Sequence, residues 1–487
     1  MTGSIDKREL EQFQTVVSNR LGLRPNESEL DVTADVFHRR LEAHGGITAA
    51  AYLDLLASLR GVEEIRVLAS ELTTTETYFF RAAEHARAMI EIALPERIRR
   101  RAAVQRLRLL SAGCSSGEEP YSLAIVLREN FPELETWDIG ILAIDVNPRV
   151  LAKARNGRYG DWALRETPLE IRKKYFRESR GEYCVREDIR SMVSFDEQNL
   201  AGGCGWLTSQ PEFDIIFCRN VLMYLTPDVA LRLVERLSQS LCPEGYVFVG
   251  CAENLRGLTR HFHLRHTHDA FYYQKCASSD LVPAAPAQHL VIPGQVLKPK
   301  PVTRLPAGAY PRLNRETPRA HAIETGLALE LMRAERYRDA LDVLHPVSSD
   351  SNTDPDSLLL KAVLLLNCGA HERAEEICWK LLKTDDLSAS AHYVMALCRE
   401  SATDTSGAME NDRAAVYLDP TFAMPHLHLG RMAKRTGDGK TAHRELEYGA
   451  TLLASEDPSR ILLFGGGFGR EVLAAAARAE LAGVRYE

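Results

Sequence analysis

Residues 109–123 form the stretch that most constrains the fold of this chain. They read LLSAGCSSGEEPYSL, in which an apolar run is followed by a turn of small residues and then by apolar residues at helical spacing. A buried strand, such a turn and a helix open the doubly wound sheets that bind nucleotides. Small side chains, above all Gly113, let the backbone approach a ligand closely. The stretch therefore predicts an α/β, Rossmann-like domain with a ligand site at this turn.

The residues of the turn narrow the class of ligand. The turn contains no Lys-Ser or Lys-Thr pair and no GxGxxG pattern, which excludes a Walker A loop and a dinucleotide fingerprint. Glu118 and Glu119 follow it, and two carboxylates would repel a pyrophosphate. A nucleoside with a cationic or zwitterionic tail, such as S-adenosylmethionine, suits them better. The alternative is a tight turn in an α/β core that binds nothing.

Three later segments place polar residues where further strands end. Asp145 ends the run 138–145, and Asn199 and Asn220 each follow another apolar run. Ligands of doubly wound sheets bind outside the carboxyl ends of the strands, and an acidic residue after the second strand holds ribose hydroxyls. We therefore expect all three residues at one edge of the sheet together with Gly113.

The last third of the chain carries an internal repeat. Two series of small residues each recur every 34 residues, and the series are offset by 12. Helix-turn-helix pairs of this period are tetratricopeptide (TPR) repeats, which offer a groove to partners. We expect a peptide or protein there, with the chain's own linker among the candidates; a generic helical bundle is the alternative. The two series are Ala328, Ala362, Ala396 and Gly430, and Ala340, Ala374, Ala408 and Ala442.

The segments around these motifs complete the predicted domain order. Three successive glycines within residues 461–473 indicate a hinge or a segment that docks a partner. The predicted domains are a helical domain at 1–90, the α/β domain at 91–276 with a small subdomain inserted at 157–195, a Pro/Ala-rich linker at 277–318, TPR-like repeats at 319–456 and a tail at 457–487.

Composition excludes several functional classes. A formal net charge of -7 over 487 residues does not suggest nucleic-acid binding. No signal-like N-terminus and no run of about 18 apolar residues occurs, so we expect a cytoplasmic protein without membrane insertion. Ten cysteines without a CxxC pair indicate reduced thiols. The spacing of the histidines within 261–268 fits no usual ligand set, and we expect no metal site.

Five motifs occur in an order that resembles one known family. They are TETYFFR from Thr75, SAGCSSGEEPYSLA from Ser111, the strand that ends at Asp145, the pair Asn199-Leu200, and FCRNVLMYL from Phe217. Together, over residues 5–276, they resemble the CheR family of chemotaxis receptor methyltransferases. The repeat resembles the C-terminal extension of a subset of that family. The resemblance implies methyl transfer from S-adenosylmethionine to glutamate side chains in the cytoplasmic domain of methyl-accepting chemotaxis receptors, with S-adenosylhomocysteine as the product.

The resemblance also implies roles for individual residues. Asp145 would hold the ribose, and the two glutamates after the turn would bind the amino-acid end. The pairs Asn199-Leu200 and Asn220-Val221 would border the adenine and the sulfonium. Tyr224 and Arg97, one of several arginines at 97–101, would lie near the acceptor as catalytic residues. The implied cofactor-binding residues are Thr75, Thr77, Arg81, Gly113, Glu118, Glu119, Asp145, Asn199, Leu200, Asn220 and Val221.

The implied reaction needs little acid-base chemistry. A glutamate carboxyl, with a pKa of about 4.3, is already ionised at neutral pH, so proximity and orientation can supply most of the catalysis. Two other functions fit the same residues. One is a scaffold or sensor that binds S-adenosylmethionine with weak or no catalysis. The other is a methyltransferase for another acceptor, since fold alone does not fix the substrate.

Overall fold

A computed structural model of the chain describes residues 6–24, 30–202, 213–259, 261–267, 270–276, 319–344, 354–466 and 468–482. The chain divides into two compact units, Met1–Ile292 and Pro293–Glu487. The predicted linker at 277–318 lies outside the described residues. In the described part of the chain, no helix combines the length and the apolar character needed to cross a membrane.

The first four helices of the chain share an apolar core. Phe13 and Phe37 stack within it, with ring centroids 4.4 Å apart. Arg66 joins this helical module to the sheet through an ion pair with Glu197 at 2.5 Å. The four helices are α1 (Lys7–Leu21), α2 (Leu30–Ala43), α3 (Ala49–Ala57) and α4 (Val62–Leu72); α5 (Ala83–Ala88) and α6 (Leu94–Arg101) lead into the first strand.

A seven-stranded sheet forms the centre of the first unit. Its order is β6-β2-β1-β7-β8-β10-β9. The first five strands in this order are parallel to one another, β10 is antiparallel to β8, and β9 is antiparallel to β10. The strands of the sheet are β1 (Arg106–Ala112), β2 (Asp138–Asp145), β6 (Val193–Glu197), β7 (Phe213–Cys218), β8 (Leu241–Val249), β9 (Phe262–Thr267) and β10 (Ala270–Lys275).

The order of the strands places a crevice beside β1. Leu110 on β1 lies opposite Leu142 on β2 and Ile216 on β7, so β1 has a parallel neighbour on each side. Because the chain first builds outward through β2 and β6 and then continues on the other side, the carboxyl ends of β1 and β7 form a topological switch point. The connecting helices are α7 (Glu118–Asn130), α8 (Pro148–Asn156), α9 (Leu169–Tyr175), α10 (Glu187–Arg190) and α11 (Pro227–Ser240).

A small antiparallel sheet, ordered β3-β5-β4, is formed by the part of the chain between β2 and β6. Its strands are β3 (Arg158–Tyr159), β4 (Phe176–Ser179) and β5 (Glu182–Val185). The predicted insertion extended to residue 195, which is too far. Val193 pairs with Ile141 of β2, so β6 belongs to the main sheet and the insertion ends before it.

The second unit consists of helical hairpins, as the 34-residue repeat predicted. All the alanines of both series are fully buried, and a Cβ on Gly430 would lie 2.7 Å from the Leu446 side chain. Small residues are therefore needed where paired helices meet. The helices are α12 (Arg319–Arg333), α13 (Tyr337–Val343), α14 (Pro355–Asn367), α15 (His371–Thr384), α16 (Ala389–Ser401), α17 (Thr405–Leu418), α18 (Ala423–Arg435), α19 (Gly439–Leu452), α20 (Pro458–Phe464) and α21 (Arg470–Ala482).

Candidate active site

The turn after β1 is fixed to the end of β2. The backbone N–H groups of Gly113 and Cys114 both donate to the carbonyl of Ile144, at 2.8 and 3.0 Å. Gly113 has φ 76°, and a Cβ there would lie 2.4 Å from the Val221 side chain. A side chain at 113 would therefore strain the backbone and displace the turn after β7. Gly113 and Val221, which were each predicted to bind the cofactor, thus meet at the switch point.

Asp145, at the end of β2, ties the turn after β1 to the turn after β2. Its Oδ2 accepts a hydrogen bond from the Ser115 N–H at 2.8 Å, and its Oδ1 accepts one from the Asn147 N–H at 2.9 Å. Burial raises the pKa of Asp145, and the backbone donors oppose this rise. The Ser115 hydroxyl donates to the Thr75 carbonyl at 3.3 Å, which brings the TETYFFR segment to the same place.

Of the two glutamates after the turn, only Glu119 lines the cleft. Glu119 accepts hydrogen bonds from the Ser111 hydroxyl at 2.7 Å and from Arg219 at 3.2 Å. Glu118 is 1% exposed and accepts instead from Ser116, with Lys153 at 3.6 Å. Burial raises the pKa of Glu118. The structure therefore does not bring Glu118 to the cleft, which corrects its predicted contact with the ligand's amino-acid end.

Arg219 and His85 are polar cleft residues that the predicted site did not include. Arg219 also donates to the Arg81 carbonyl at 3.0 Å, and so links the end of β7 to the TETYFFR segment. His85 lines the cleft from α5, with its Nε2 3.2 Å from the Phe271 carbonyl. Arg219 could have been predicted as a site residue, because it directly precedes Asn220 in the motif FCRNVLMYL. Nothing in the sequence marks His85, which lies on a short helix without a motif. The predicted residues that line this cleft are Thr77, Arg81, Gly113, Glu119 and Asn220.

The cleft contains buried polar atoms without a partner. Among the described residues, these include Nδ1 of His85 and Nε of Arg219. Burial, reinforced by the Arg219 cation, lowers the pKa of His85 to about 4, so its ring is neutral at pH 7. Orphaned buried polar atoms are costly unless a ligand or water satisfies them. The cleft therefore fits a polar ligand that carries both hydrogen-bond donors and acceptors.

The turn that carries Asn220 is held by a buried carboxylate. Glu253, 3% exposed, accepts hydrogen bonds from the N–H groups of Asn220 at 2.6 Å, Gly250 at 2.7 Å and Met223 at 3.2 Å. Asn220 has φ 57°, a left-handed conformation that asparagine tolerates better than most residues. Burial raises the pKa of Glu253, and the backbone donors oppose this rise.

Asn199, which precedes Leu200, borders a second hollow between the helical module and the sheet. The Asn199 amide donates to the Arg20 carbonyl at 2.8 Å, and its oxygen accepts from the Ala201 N–H at 2.9 Å. Leu200 is 8% exposed. Asn199 lines the hollow together with Val146, the residue that follows Asp145. The pair therefore borders a different part of the sheet edge from Glu119.

The two predicted catalytic residues lie at opposite edges of the sheet. Tyr224 is exposed in the turn after β7, where its carbonyl accepts from the Arg24 N–H at 2.7 Å. Arg97 is 3% exposed and pairs with Asp214, near the start of β7, at 2.9 Å. The amino and carboxyl ends of parallel strands lie at opposite edges. The predicted catalytic role of Arg97 is therefore wrong. Its ion pair with Asp214 instead contributes to the packing at the amino ends of the parallel strands.

The fold and the site together define a doubly wound α/β protein with a polar cleft at the switch point of its sheet, where proteins of this fold class bind their ligands. Comparison with known proteins identifies the family. Residues 75–271 match the family model "CheR methyltransferase, SAM binding domain", and residues 331–398 match a tetratricopeptide repeat model. The chain belongs to the CheR family of methyltransferases, and S-adenosylmethionine is its methyl donor, as the resemblance implied.

Curated relatives cover the chain to different extents. A "Probable biofilm formation methyltransferase WspC" from Pseudomonas putida is 29% identical over 90% of this chain and 97% of its own length. "Chemotaxis protein methyltransferase 2" from Vibrio cholerae is 32% identical over 49% of this chain and 82% of its own. "Chemotaxis protein methyltransferase Cher2" from Pseudomonas putida is 31% identical over 56% of this chain and 98% of its own.

Proposed function

We propose that this protein transfers methyl groups from S-adenosylmethionine to glutamate carboxylates in the cytoplasmic domain of a chemotaxis-type receptor, and that its TPR region binds a protein partner. The observation that carries the proposal is the meeting of Gly113, Asp145, Glu119 and Asn220 at one sheet edge in a chain of the CheR family. Relatives named as chemotaxis protein methyltransferases support the receptor as substrate.

Three predicted residues have the chemistry to hold the cofactor, which supplies an electrophilic methyl group on its sulfonium when bound. Asp145 offers carboxylate oxygens to ribose hydroxyls. Glu119, fixed by Ser111 and Arg219, offers a carboxylate to an ammonium group. Thr77 lines the same cleft and offers a hydroxyl to the carboxylate of the cofactor.

We assign Arg81, which the resemblance placed among the cofactor-binding residues, to the acceptor together with Tyr224. Among the described residues Arg81 makes no ion pair, and it donates to the Glu76 carbonyl at 3.3 Å. A guanidinium can orient a carboxylate through two parallel hydrogen bonds. The phenol of Tyr224 is exposed near the same edge. Both residues then position an acceptor that is already ionised, and no general base is required.

A transfer assay tests the proposal. Methyl-labelled S-adenosylmethionine is mixed with the protein and a receptor cytoplasmic fragment, and base treatment then releases methanol from methyl esters but not from N-methyl groups. We expect base-labile label that falls at least 100-fold in Asp145→Asn. Asp138→Asn, at the exposed opposite end of β2, is the matched control and should retain activity. Cofactor binding without transfer would favour the scaffold, and base-stable label would indicate another acceptor chemistry.

A further inference from the structure

The tail of the second unit folds back over earlier repeats. In a repeat array each hairpin contacts only its neighbours, so a helix that simply continued the array would touch only α18 and α19. Helix α20 instead packs against α14, which lies two hairpins before α18. It also places Phe464 against Tyr393 on α16. The segment therefore crosses the array along a face to which α14 and α16 both contribute.

Phe464 completes an aromatic cluster on this face. Its ring centroid lies 5.9 Å from that of Tyr393 and 5.1 Å from that of Phe422, and these two rings lie 5.4 Å from each other. All three pairs meet edge to face, a favoured geometry for aromatic pairs. Phe464 is 7% exposed and Ile461 is 8% exposed. The buried side of the segment is thus aliphatic and aromatic.

Arg460 supplies an electrostatic contact next to the aromatic cluster. Its guanidinium lies 2.5 Å from Oδ2 of Asp419 and 3.6 Å from Glu456. It also lies over the Phe422 ring, 4.7 Å from the centroid. A cation held by two carboxylates and an aromatic face is recognised by its charge and by its planar shape.

The ends of the segment differ in how firmly they are held. At its start, Glu456 accepts a hydrogen bond from the Ala423 N–H at 2.6 Å, and Asp457 caps the helix by accepting from the Ser459 N–H at 2.7 Å. At its end come Gly465 and Gly466, the second with φ 62°. Glycine is the residue that changes backbone conformation most readily. The glycines therefore give the end of the segment more conformational freedom than its capped start has, before Arg470 anchors the chain again through the carbonyls of Leu453 and Glu456.

We propose that the face formed by α14, α16 and Phe422 is a peptide-binding groove whose resident ligand is the chain's own segment Pro458–Phe464. Its ligand chemistry is an arginine followed by three aliphatic residues and a phenylalanine, as in RILLF. A partner segment of the same chemistry binds by displacing the resident one. The resident segment is at a high effective concentration because it is tethered, so external peptides bind weakly until it is released. This inference does not depend on the methyl acceptor.

The test uses the full chain and a fluorescein-labelled peptide of residues 457–466, with binding followed by anisotropy. Phe464→Ala removes the ring that fits between Tyr393 and Phe422, and it should bind the peptide at least tenfold more tightly than the wild type. Phe468→Ala is the matched control, because Phe468 lies four residues later and is 57% exposed. It should bind the peptide within twofold of the wild type.

Two further measurements separate binding from damage to the fold. A peptide with glutamate in place of Arg460 should bind the Phe464→Ala chain at least tenfold more weakly than the native peptide. Arg460→Glu in the chain releases the segment by a different contact and should also increase peptide binding. If neither chain variant gains affinity while its circular dichroism matches the wild type, the proposal is wrong. Equal binding of both peptides would also overturn it.

Discussion

At the residue scale, the conformation of the Asn220 turn depends on one buried carboxylate. Glu253 accepts three backbone N–H groups, and glutamine would turn one accepting oxygen into an NH2 donor that faces other donors. We expect Glu253→Gln to lower the free energy of unfolding by about 1–3 kcal/mol. The affinity for S-adenosylmethionine should fall at least tenfold, because Asn220 lines the cleft. Urea denaturation and titration calorimetry measure the two effects.

A matched control separates this effect from the loss of any glutamate. Glu244→Gln changes a partly exposed side chain at the other end of β8, where the glutamate pairs with Arg100. It should leave cofactor affinity within twofold of the wild type. If Glu253→Gln keeps full affinity while only its stability falls, the turn does not contribute to the cofactor site.

The sequence predicted the positions of the site residues that lie directly at strand ends. Gly113 and Asp145 lie at strand ends that the hydrophobic pattern locates, and both strand ends occur where that pattern indicates. The prediction for Arg97 was wrong because its partner, Asp214, lies 117 residues away along the chain. The sequence of an arginine-rich helix is the same whether its side chains face solvent or a buried carboxylate. The prediction for Glu118 was wrong because adjacent residues of a helix point to different sides, and the sequence does not show which of two neighbouring glutamates points to the cleft.

At the scale of elements, the repeat was predictable and its tail was not. A 34-residue period fixes which helices pair, because every repeat must bury the same small residue. The apolar run at 461–464 carries no period of its own, so its position against α14 and α16 follows only from long-range contacts. The end of the insertion was misplaced for a related reason: β6 is short and is recognised by its pairing with β2.

A buried charge cluster makes the stability of α16–α18 dependent on pH. His428 lies between Asp412 at 2.5 Å and Glu400 at 2.8 Å, and Arg435 also pairs with Glu400. Burial alone would lower the pKa of His428, but the two carboxylates outweigh it and raise the pKa to about 9. Burial raises the pKa of Asp412, and His428 opposes that rise. Arg431 and Tyr393 also face this cluster.

The sign of the pH effect follows from the raised pKa. A protonated His428 stabilises the fold fully below its unfolded pKa of about 6.5, and the contribution is lost as the pH rises through about 9. We expect the opening free energy of these helices to fall by about 1–3 kcal/mol between pH 6.5 and 9.5. Amide hydrogen exchange, corrected for intrinsic rates, measures it in the full chain. His428→Gln should flatten the slope, and an unchanged slope in that variant would contradict this account.

At the scale of the whole molecule, each of the two units carries its own buried core, so each can unfold as a separate cooperative transition. All the residues assigned to the cofactor lie in Met1–Ile292, whereas His428 lies in Pro293–Glu487. A ligand stabilises only the unit that binds it, by about 2.7 kcal/mol at 100 times its dissociation constant. We therefore expect two calorimetric transitions. S-adenosylhomocysteine should raise the midpoint of the transition of Met1–Ile292. Raising the pH from 6.5 to 9.5 should lower the midpoint of the transition of Pro293–Glu487, and more in the wild type than in His428→Gln. A single transition that responds to both the ligand and the His428 substitution would show that the two units unfold together, and the repeats would then be thermodynamically coupled to the methyltransferase domain.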